Sequence, residues 1–160
     1  MYILVIIPVI IMALFIKHYV THQSVDAIYY LEKSKKLLRK GKITGAIHTL
    51  ESSISLDPLQ YEAHKLLADT YYQIKSFKKA LTNYNHALSV TEEPIAYFNR
   101  GITYVSLGQL DKAIDDVTYA LNTYDGNKDF IYKELGYLYQ MNGDQLQSKT
   151  YYDKIMKTPA

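Results

Sequence analysis

The sequence predicts an all-α protein, a solenoid of about four helix-turn-helix repeats preceded by an N-terminal transmembrane helix. Two observations predict it. Small residues that follow a turn recur at spacings of 34, 33 and 35 residues, at Ala46, Ala80, Ala113 and Ser148. A nearly constant period of this length is typical of stacked helical repeats. The first sixteen residues carry no charged side chain, and such a run favours lipid over water.

The apolar N-terminus, residues 1–20, is interpreted as a membrane anchor. At about 1.5 Å per helical residue its uncharged part reaches roughly 24 Å, short of a hydrocarbon core of about 30 Å. Lys17 and its neighbours must therefore snorkel to the interface. A cleaved signal peptide is the alternative, but it needs a positive charge before the run and small residues after it, and the sequence has neither. Residues 21–26 are then a linker.

Charge is distributed unevenly along the chain. Residues 1–42 carry a net charge of +5 and residues 43–160 a net charge of −3. By the positive-inside rule, the basic flank places the repeats of a single-pass protein on the cytoplasmic side of a membrane, or on the equivalent side in an organelle. The basic residues before position 43 have two other interpretations. They form a helix face exposed to solvent, or they attract an anionic membrane leaflet. The acidic remainder repels phosphate, so no nucleic-acid partner is expected.

The third repeat, which begins near Pro94, shows the pattern of residue types most clearly. Its aromatic, Gly, Leu and Ala residues follow in a fixed order: Tyr97, Gly101, Tyr104, Gly108, Leu110, Ala113 and Ala120. This order resembles the tetratricopeptide repeat, a helix-turn-helix unit of about 34 residues. The resemblance covers residues 27–157 and implies these repeats: about 27–60, 61–93, 94–127 and 128–157. We call the first helix of each repeat helix A and the second helix B.

Small residues and glycines have defined places in these repeats. One row of small residues lies on helix A where it approaches helix B most closely: Ser34, Ala68, Gly101 and Gly136. The facing row on helix B is the one that defines the period. The turn between the helices carries a residue suited to a positive φ: Gly41, Gly108 and Gly143, with Lys75 in that place of the second repeat. Gly is preferred there because it adopts a positive φ without steric cost.

No catalytic or metal site is predicted. The chain has no Cys, which excludes thiolate zinc sites, iron–sulfur clusters and Cys nucleophiles. Its five His residues lack paired ligand spacing, and His64 falls where the repeat implies a buried aromatic. Asp111, Asp115 and Asp116 lie at the start of a predicted helix, where carboxylates complement the helix dipole. We therefore expect a protein that is no enzyme and that takes no cofactor, metal or small-molecule substrate.

The resemblance implies that a protein partner lies in a concave groove lined by helix A. The implied groove residues are Lys65, Asp69, Tyr72, Phe98, Asn99, Ile102, Val105, Phe130 and Tyr137. The expected ligand is an apolar or amphipathic segment over the apolar members of this set, with Asn99 bonded to its backbone. The alternative is that some of these side chains pack against neighbouring helices and face no ligand.

Chaperone-binding members of the family grip a C-terminal carboxylate with Lys, Asn and Arg side chains. Lys65 and Asn99 match two of those places. Asp69 replaces an Asn, and Phe130 and Glu134 replace a Lys and an Arg. The two acidic residues would oppose a carboxylate, so the resemblance does not imply a receptor for chaperone tails here.

Together these features predict a non-catalytic, membrane-anchored adaptor or assembly factor that recruits a protein. The alternative is a structural accessory subunit, fixed through its anchor in a larger membrane protein complex. A hydrolase or transferase has no motif to support it.

Overall fold

The computed structural model describes residues 3–155, and within them the side chains of residues 10–17 and 21–155. Residues 1–2 of the predicted anchor and 156–157 of the predicted fourth repeat lie outside the described residues. The regular structure of residues 3–155 consists of eight helices: α1 (Ile3–Arg39), α2 (Ile43–Leu56), α3 (Tyr61–Gln73), α4 (Phe77–Val90), α5 (Pro94–Ser106), α6 (Leu110–Thr123), α7 (Asp129–Met141) and α8 (Gln145–Ile155). The predicted all-α fold is confirmed.

The helices pack in consecutive pairs, and the chain forms two compact units, Met1–Ala63 and His64–Ala160. In the first unit α2 packs on the C-terminal half of α1, where Ala27 and Leu31 are buried and the Ser53 hydroxyl donates to the Ala27 carbonyl oxygen at 2.6 Å. In the second unit α5 pairs with α6 and α7 with α8, while α4 also packs on α5 and α6 on α7. Helix A and helix B therefore alternate along the chain.

The small residues predicted at the closest helix contacts are buried, as expected. Ser34, Ala46, Ala68, Ala80 and Ala113 have no exposed surface, and Ser148 is 4% exposed. A Cβ placed on Gly101 would lie 2.7 Å from Val117 Cγ2, and one placed on Gly136 would lie 2.8 Å from the Tyr152 ring. These distances are shorter than van der Waals contact, so the helices approach more closely than a larger residue allows.

The turns between helix A and helix B adopt the predicted backbone conformation. The φ angles of the three turn glycines are positive: +68° at Gly41, +71° at Gly108 and +81° at Gly143. Lys75 has a φ of +61° in the corresponding turn and is the one non-Gly residue with a positive φ between residues 3 and 155. An L-residue in this conformation brings its Cβ too close to the following carbonyl oxygen, which Gly avoids.

We expect Lys75→Gly to raise the free energy of unfolding by about 0.5–1 kcal/mol. It removes a left-handed conformation that costs an L-residue about 1–2 kcal/mol, and the greater freedom of Gly in the unfolded chain offsets part of the gain. Gly108→Ala is the matched control. No atom lies within 4 Å of a Cβ at that position, so this change adds backbone strain alone and should lower stability. Urea denaturation measures both, and a lower midpoint for Lys75→Gly contradicts the prediction.

The prediction of a membrane-anchored protein is wrong. Among the residues whose side chains the structure describes, 10–17 and 21–155, no helix combines the length and the apolar composition that crossing a bilayer requires. α1 has 37 residues, but its uncharged stretch ends at Ile16, where Lys17 follows, and the rest of the helix is rich in polar side chains. The uncharged stretch is therefore shorter than the about 20 residues that span a hydrocarbon core. The proposed orientation of the repeats depended on the anchor and is withdrawn with it.

The segment predicted as a linker, residues 21–26, is helical and continues α1 without a break. No Gly or Pro occurs between residues 9 and 40, so the sequence contains no helix breaker at which α1 could end before Gly41. The helix A of the first repeat is thus the C-terminal part of a much longer helix.

Two polar residues of the repeats are buried in different ways. His64 is 6% exposed, as predicted for a core position. Asp116 differs from its prediction as a residue at the start of a helix, since α6 begins at Leu110 and Asp116 lies in its middle, 7% exposed. Its carboxylate accepts from Arg100 Nε at 2.7 Å and Nη2 at 2.8 Å. Asp116 is therefore half of a buried ion pair.

Candidate functional site

A cavity of about 270 Å³ lies in the second unit between α3, α4 and α5. Six side chains line it: Asp69 and Tyr72 of α3, Tyr84 of α4, and Phe98, Asn99 and Ile102 of α5. We call it the Asp69 pocket. Tyr72, Phe98 and Ile102 make it largely apolar, and the remaining three residues supply one carboxylate, one hydroxyl and one amide. Five of the nine predicted groove residues thus lie together.

The Asp69 carboxylate receives hydrogen bonds from three helices. Tyr84 Oη donates to Asp69 Oδ1 at 2.5 Å, and Asn99 Nδ2 donates to the same oxygen at 3.2 Å. Lys65 Nζ, one helical turn before Asp69, donates to Oδ2 at 3.4 Å. The side chains of Lys65 and Asp69 are 22% and 32% exposed, so this ion pair is accessible to solvent. The predicted groove residue Lys65 therefore joins the site through Asp69.

Tyr84 is a residue of this site that the sequence did not indicate. It lies on helix B and is 2% exposed, so the repeat pattern assigns it to the core. Burial, followed by the charge of Asp69, raises the pKa of its hydroxyl well above the usual value for tyrosine. The hydroxyl therefore stays protonated and donates to Asp69. The sequence offered one indication of this role, which is that the residue is Tyr and not Phe. A buried hydroxyl requires a hydrogen-bond acceptor.

The apolar surface continues from α5 to α7. The Phe98 and Phe130 rings meet edge to face with centroids 5.0 Å apart, and Tyr124 meets Phe130 in the same way at 5.5 Å. Phe130 is 38% exposed and Tyr137 of the same helix is 47% exposed. These aromatic side chains are accessible to a partner, and such residues contribute strongly to protein interfaces.

Two predicted groove residues are partly engaged inside the protein. Phe98 and Val105 pack against the buried cluster of α6 and α7, whose members are Ala113, Val117, Ala120, Ile131, Leu135 and Leu138. The sequence left open the alternative that groove residues pack against neighbouring helices. Phe98 and Val105 do so in part. Both side chains are half-buried and keep an exposed portion.

Glu134, the second acidic residue that the sequence predicted to oppose a ligand carboxylate, lies half-buried on α7. Burial raises the pKa of its carboxyl group, and the neighbouring Lys133 lowers it by a smaller amount. Among the described side chains, those of residues 10–17 and 21–155, there is no group of three or more His, Asp or Glu residues that could hold a metal ion.

Comparisons with known sequences identify one of the repeats. Residues 95–121, which lie in α5 and α6, match the family described as tetratricopeptide repeat. The Hsp70-Hsp90 organising protein of Plasmodium falciparum (isolate 3D7) is 30% identical to this chain over 77 residues, or 47% of the chain. The match spans 14% of the length of that relative.

Similar solved structures cover most of the chain. The crystal structure of MamA matches 89% of this chain and 85% of its own, with a TM-score of 0.78 and 23% identity, which supports the fold alone. The first TPR of Spaghetti (RPAP3), bound to the Hsp90 peptide SRMEEVD, matches 75% of this chain and 95% of its own, with a TM-score of 0.71 and 26% identity. Together with the matched repeat, these similarities identify the chain as an all-α protein with the tetratricopeptide-repeat fold.

Proposed function

We propose that this chain is a non-catalytic protein-binding module that takes an apolar or amphipathic segment of a partner along the helix-A faces of α3, α5 and α7. The observation that carries the proposal is the Asp69 pocket, whose exposed walls are apolar and which continues through Phe98 to the accessible ring of Phe130. Tetratricopeptide repeats mediate protein–protein interactions, and the similar Spaghetti repeat was solved with a peptide bound.

The size of the pocket favours a protein partner over a small molecule. Sites for drug-sized ligands usually measure about 300–1,000 Å³ and bury most of the ligand. At about 270 Å³ the Asp69 pocket is smaller, and it suits a single anchoring side chain of a longer segment. An anchor surrounded by aromatic side chains is the usual form of an interaction hot spot.

Polar groups in the pocket orient this segment. Asn99 was expected to bond to the backbone of the partner, but its Nδ2 also donates to Asp69, so the amide divides its hydrogen-bonding capacity between the two. The bond to Asp69 holds the amide in place before the partner arrives. Such preorganisation reduces the entropy lost on binding.

Ile102→Asp should weaken the binding of apolar peptides. Random peptides are displayed, selected on the wild-type protein and measured individually by fluorescence polarisation. We expect apolar anchor residues to be enriched, and we expect Ile102→Asp to weaken each selected peptide by roughly tenfold or more, because it places a charge in the apolar wall. Leu146→Asp is the matched control. Leu146 is 76% exposed on α8 and outside the pocket, so its replacement should leave affinity unchanged.

Two results would count against the proposal. One is a selection that yields no peptide with apolar anchors. The other is an equal loss of affinity in the Ile102→Asp and Leu146→Asp variants, which would place the binding surface elsewhere. Circular dichroism on both variants establishes that the helices are retained.

A further inference from the structure

We infer that Asp69 is a built-in carboxylate that pairs with the lysine and the amide beside its own pocket and thereby excludes acidic C-terminal tails from the groove. The inference rests on the protein-binding function proposed above and specifies the chemistry of the partner. The groove takes an internal apolar segment of a partner chain and refuses a free, negatively charged chain end.

The side chains that could donate to a ligand carboxylate already donate to Asp69. Lys65 and Asn99 both donate to Asp69, at 3.4 Å and 3.2 Å. Tyr84 adds a third donor from the opposite helix. Asp69 Oδ1 accepts two of these bonds and Oδ2 the third, so a carboxylate of the protein itself is the acceptor that the three donors share.

Charge reinforces this occupancy. The single positive charge of Lys65 is balanced by Asp69, so a second carboxylate entering the pocket would meet an anion, and none of the six residues that line the pocket is a cation. Glu134 is a second, half-buried acidic residue on α7, a helix that carries part of the apolar surface. Repulsion of this kind is an effective means of rejecting one class of ligand while leaving an apolar ligand unaffected.

The position of the pair at the surface separates this role from ordinary core packing. Side-chain exposures of 22% for Lys65 and 32% for Asp69 show that solvent, and therefore a ligand, reaches the ion pair. A surface pair between neighbouring turns of one helix adds little to stability, about 0.3–0.5 kcal/mol in other proteins. Specificity is the larger effect of placing an acid at this position.

Asp69→Asn should convert the pocket into a carboxylate site. The amide oxygen of Asn still accepts from Tyr84 and Asn99, while the negative charge is lost and Lys65 becomes available. The probe is fluorescein-labelled SRMEEVD, the peptide of the Spaghetti complex, with a free C-terminal carboxylate or as the amide. By fluorescence polarisation we expect Asp69→Asn to bind the free-acid form roughly tenfold more tightly than the wild type does. The amide form, and the double variant Lys65→Met/Asp69→Asn, should show no gain.

Each outcome decides the inference. The inference is overturned if the wild-type protein already prefers the free-acid peptide to the amide, a result that needs no variant. It is also overturned if folded Asp69→Asn gains no affinity for the free-acid peptide. If circular dichroism shows that Asp69→Asn is unfolded, the Asp69→Ser variant is tested in its place. The same proteins are titrated with an apolar peptide from the selection. If the wild type binds the apolar peptide but Asp69→Asn gains no affinity for free-acid SRMEEVD, only the inference is refuted. If Asp69→Asn gains that affinity but the apolar peptide does not bind, only the proposed function is refuted.

Discussion

An Asp116→Ala variant is expected to lose about 3–5 kcal/mol of unfolding free energy, the usual result of removing one partner from a buried ion pair. The side chains of Arg100 and Asp116 are 18% and 9% exposed, and two parallel hydrogen bonds of 2.7 and 2.8 Å join them. Without the carboxylate, a guanidinium remains in a site that excludes most water. Asp116 accordingly raises the pKa of Arg100, which favours its charged form.

The surroundings of Arg100 enlarge the effect beyond one helix pair. Its Nη1 donates to Asn85 Oδ1 of α4 at 2.9 Å, and its guanidinium lies over the Tyr97 ring at 5.0 Å from the centroid. One side chain of α5 thus bonds to α4 on one side and to α6 on the other. Loss of Asp116 should therefore loosen the contact between the second and third repeats as well as the third repeat itself.

Urea denaturation followed by circular dichroism tests this expectation. Asp115→Ala is the control, because the neighbouring Asp115 is exposed on the same helix and its loss should change stability by less than about 0.5 kcal/mol. The double variant Arg100→Met/Asp116→Leu should recover most of the loss, since it leaves no unpaired charge. A deficit below about 1 kcal/mol in Asp116→Ala would show that the pair is solvated in solution.

Gly101→Leu is expected to cost about 3 kcal/mol or more, by overpacking the contact between α5 and α6. A Cβ alone would lie 2.7 Å from Val117 Cγ2 and 3.2 Å from the Ala113 carbonyl oxygen. Val117 is fully buried and β-branched, so its rotamer cannot change without disturbing the core. The helices must move apart, and the buried contacts around them are lost.

A matched glycine on another helix separates crowding from helix propensity. At Gly45 of α2 a Cβ would meet Leu37 Cδ1 at an ordinary 3.6 Å, so Gly45→Ala should stabilise the protein by up to about 1 kcal/mol. Gly101→Ala should be rescued by Val117→Ala, which removes the nearest atom. If Gly101→Ala is as favourable as Gly45→Ala in urea denaturation, the proposed close contact between α5 and α6 is refuted.

The features that were predictable from sequence are those set within one repeat. The buried small residues and the positive φ of Lys75 follow from register, because each repeat solves the same local packing problem. The Arg100–Asp116 pair escaped prediction because it depends on which faces of two helices meet, sixteen residues apart. The apolar N-terminus was misinterpreted because its composition was weighed more heavily than its length.

The candidate site was predictable to a similar extent. Repeat offsets located Asp69, Phe98 and Ile102 on one face, and the pocket contains all three. The repeat offsets indicate where a residue lies and not which hydrogen bonds it makes. They therefore identified Asp69 as a substitution in the family pattern but did not predict the three side chains that donate to it. Tyr84 was missed for the related reason that helix B is treated as core.

The alternation of residues along α5 links its two faces. Asn99 and Ile102 line the pocket, while Arg100 and Gly101 between them dock the same helix on α6. A helical turn is too stiff for these neighbours to move independently. The width of the Asp69 pocket therefore depends on the size of the side chains that pack α5 against α6. Substitutions at hidden positions should therefore show epistasis with substitutions in the groove, and changes of ligand preference could evolve without altering any residue that a ligand touches.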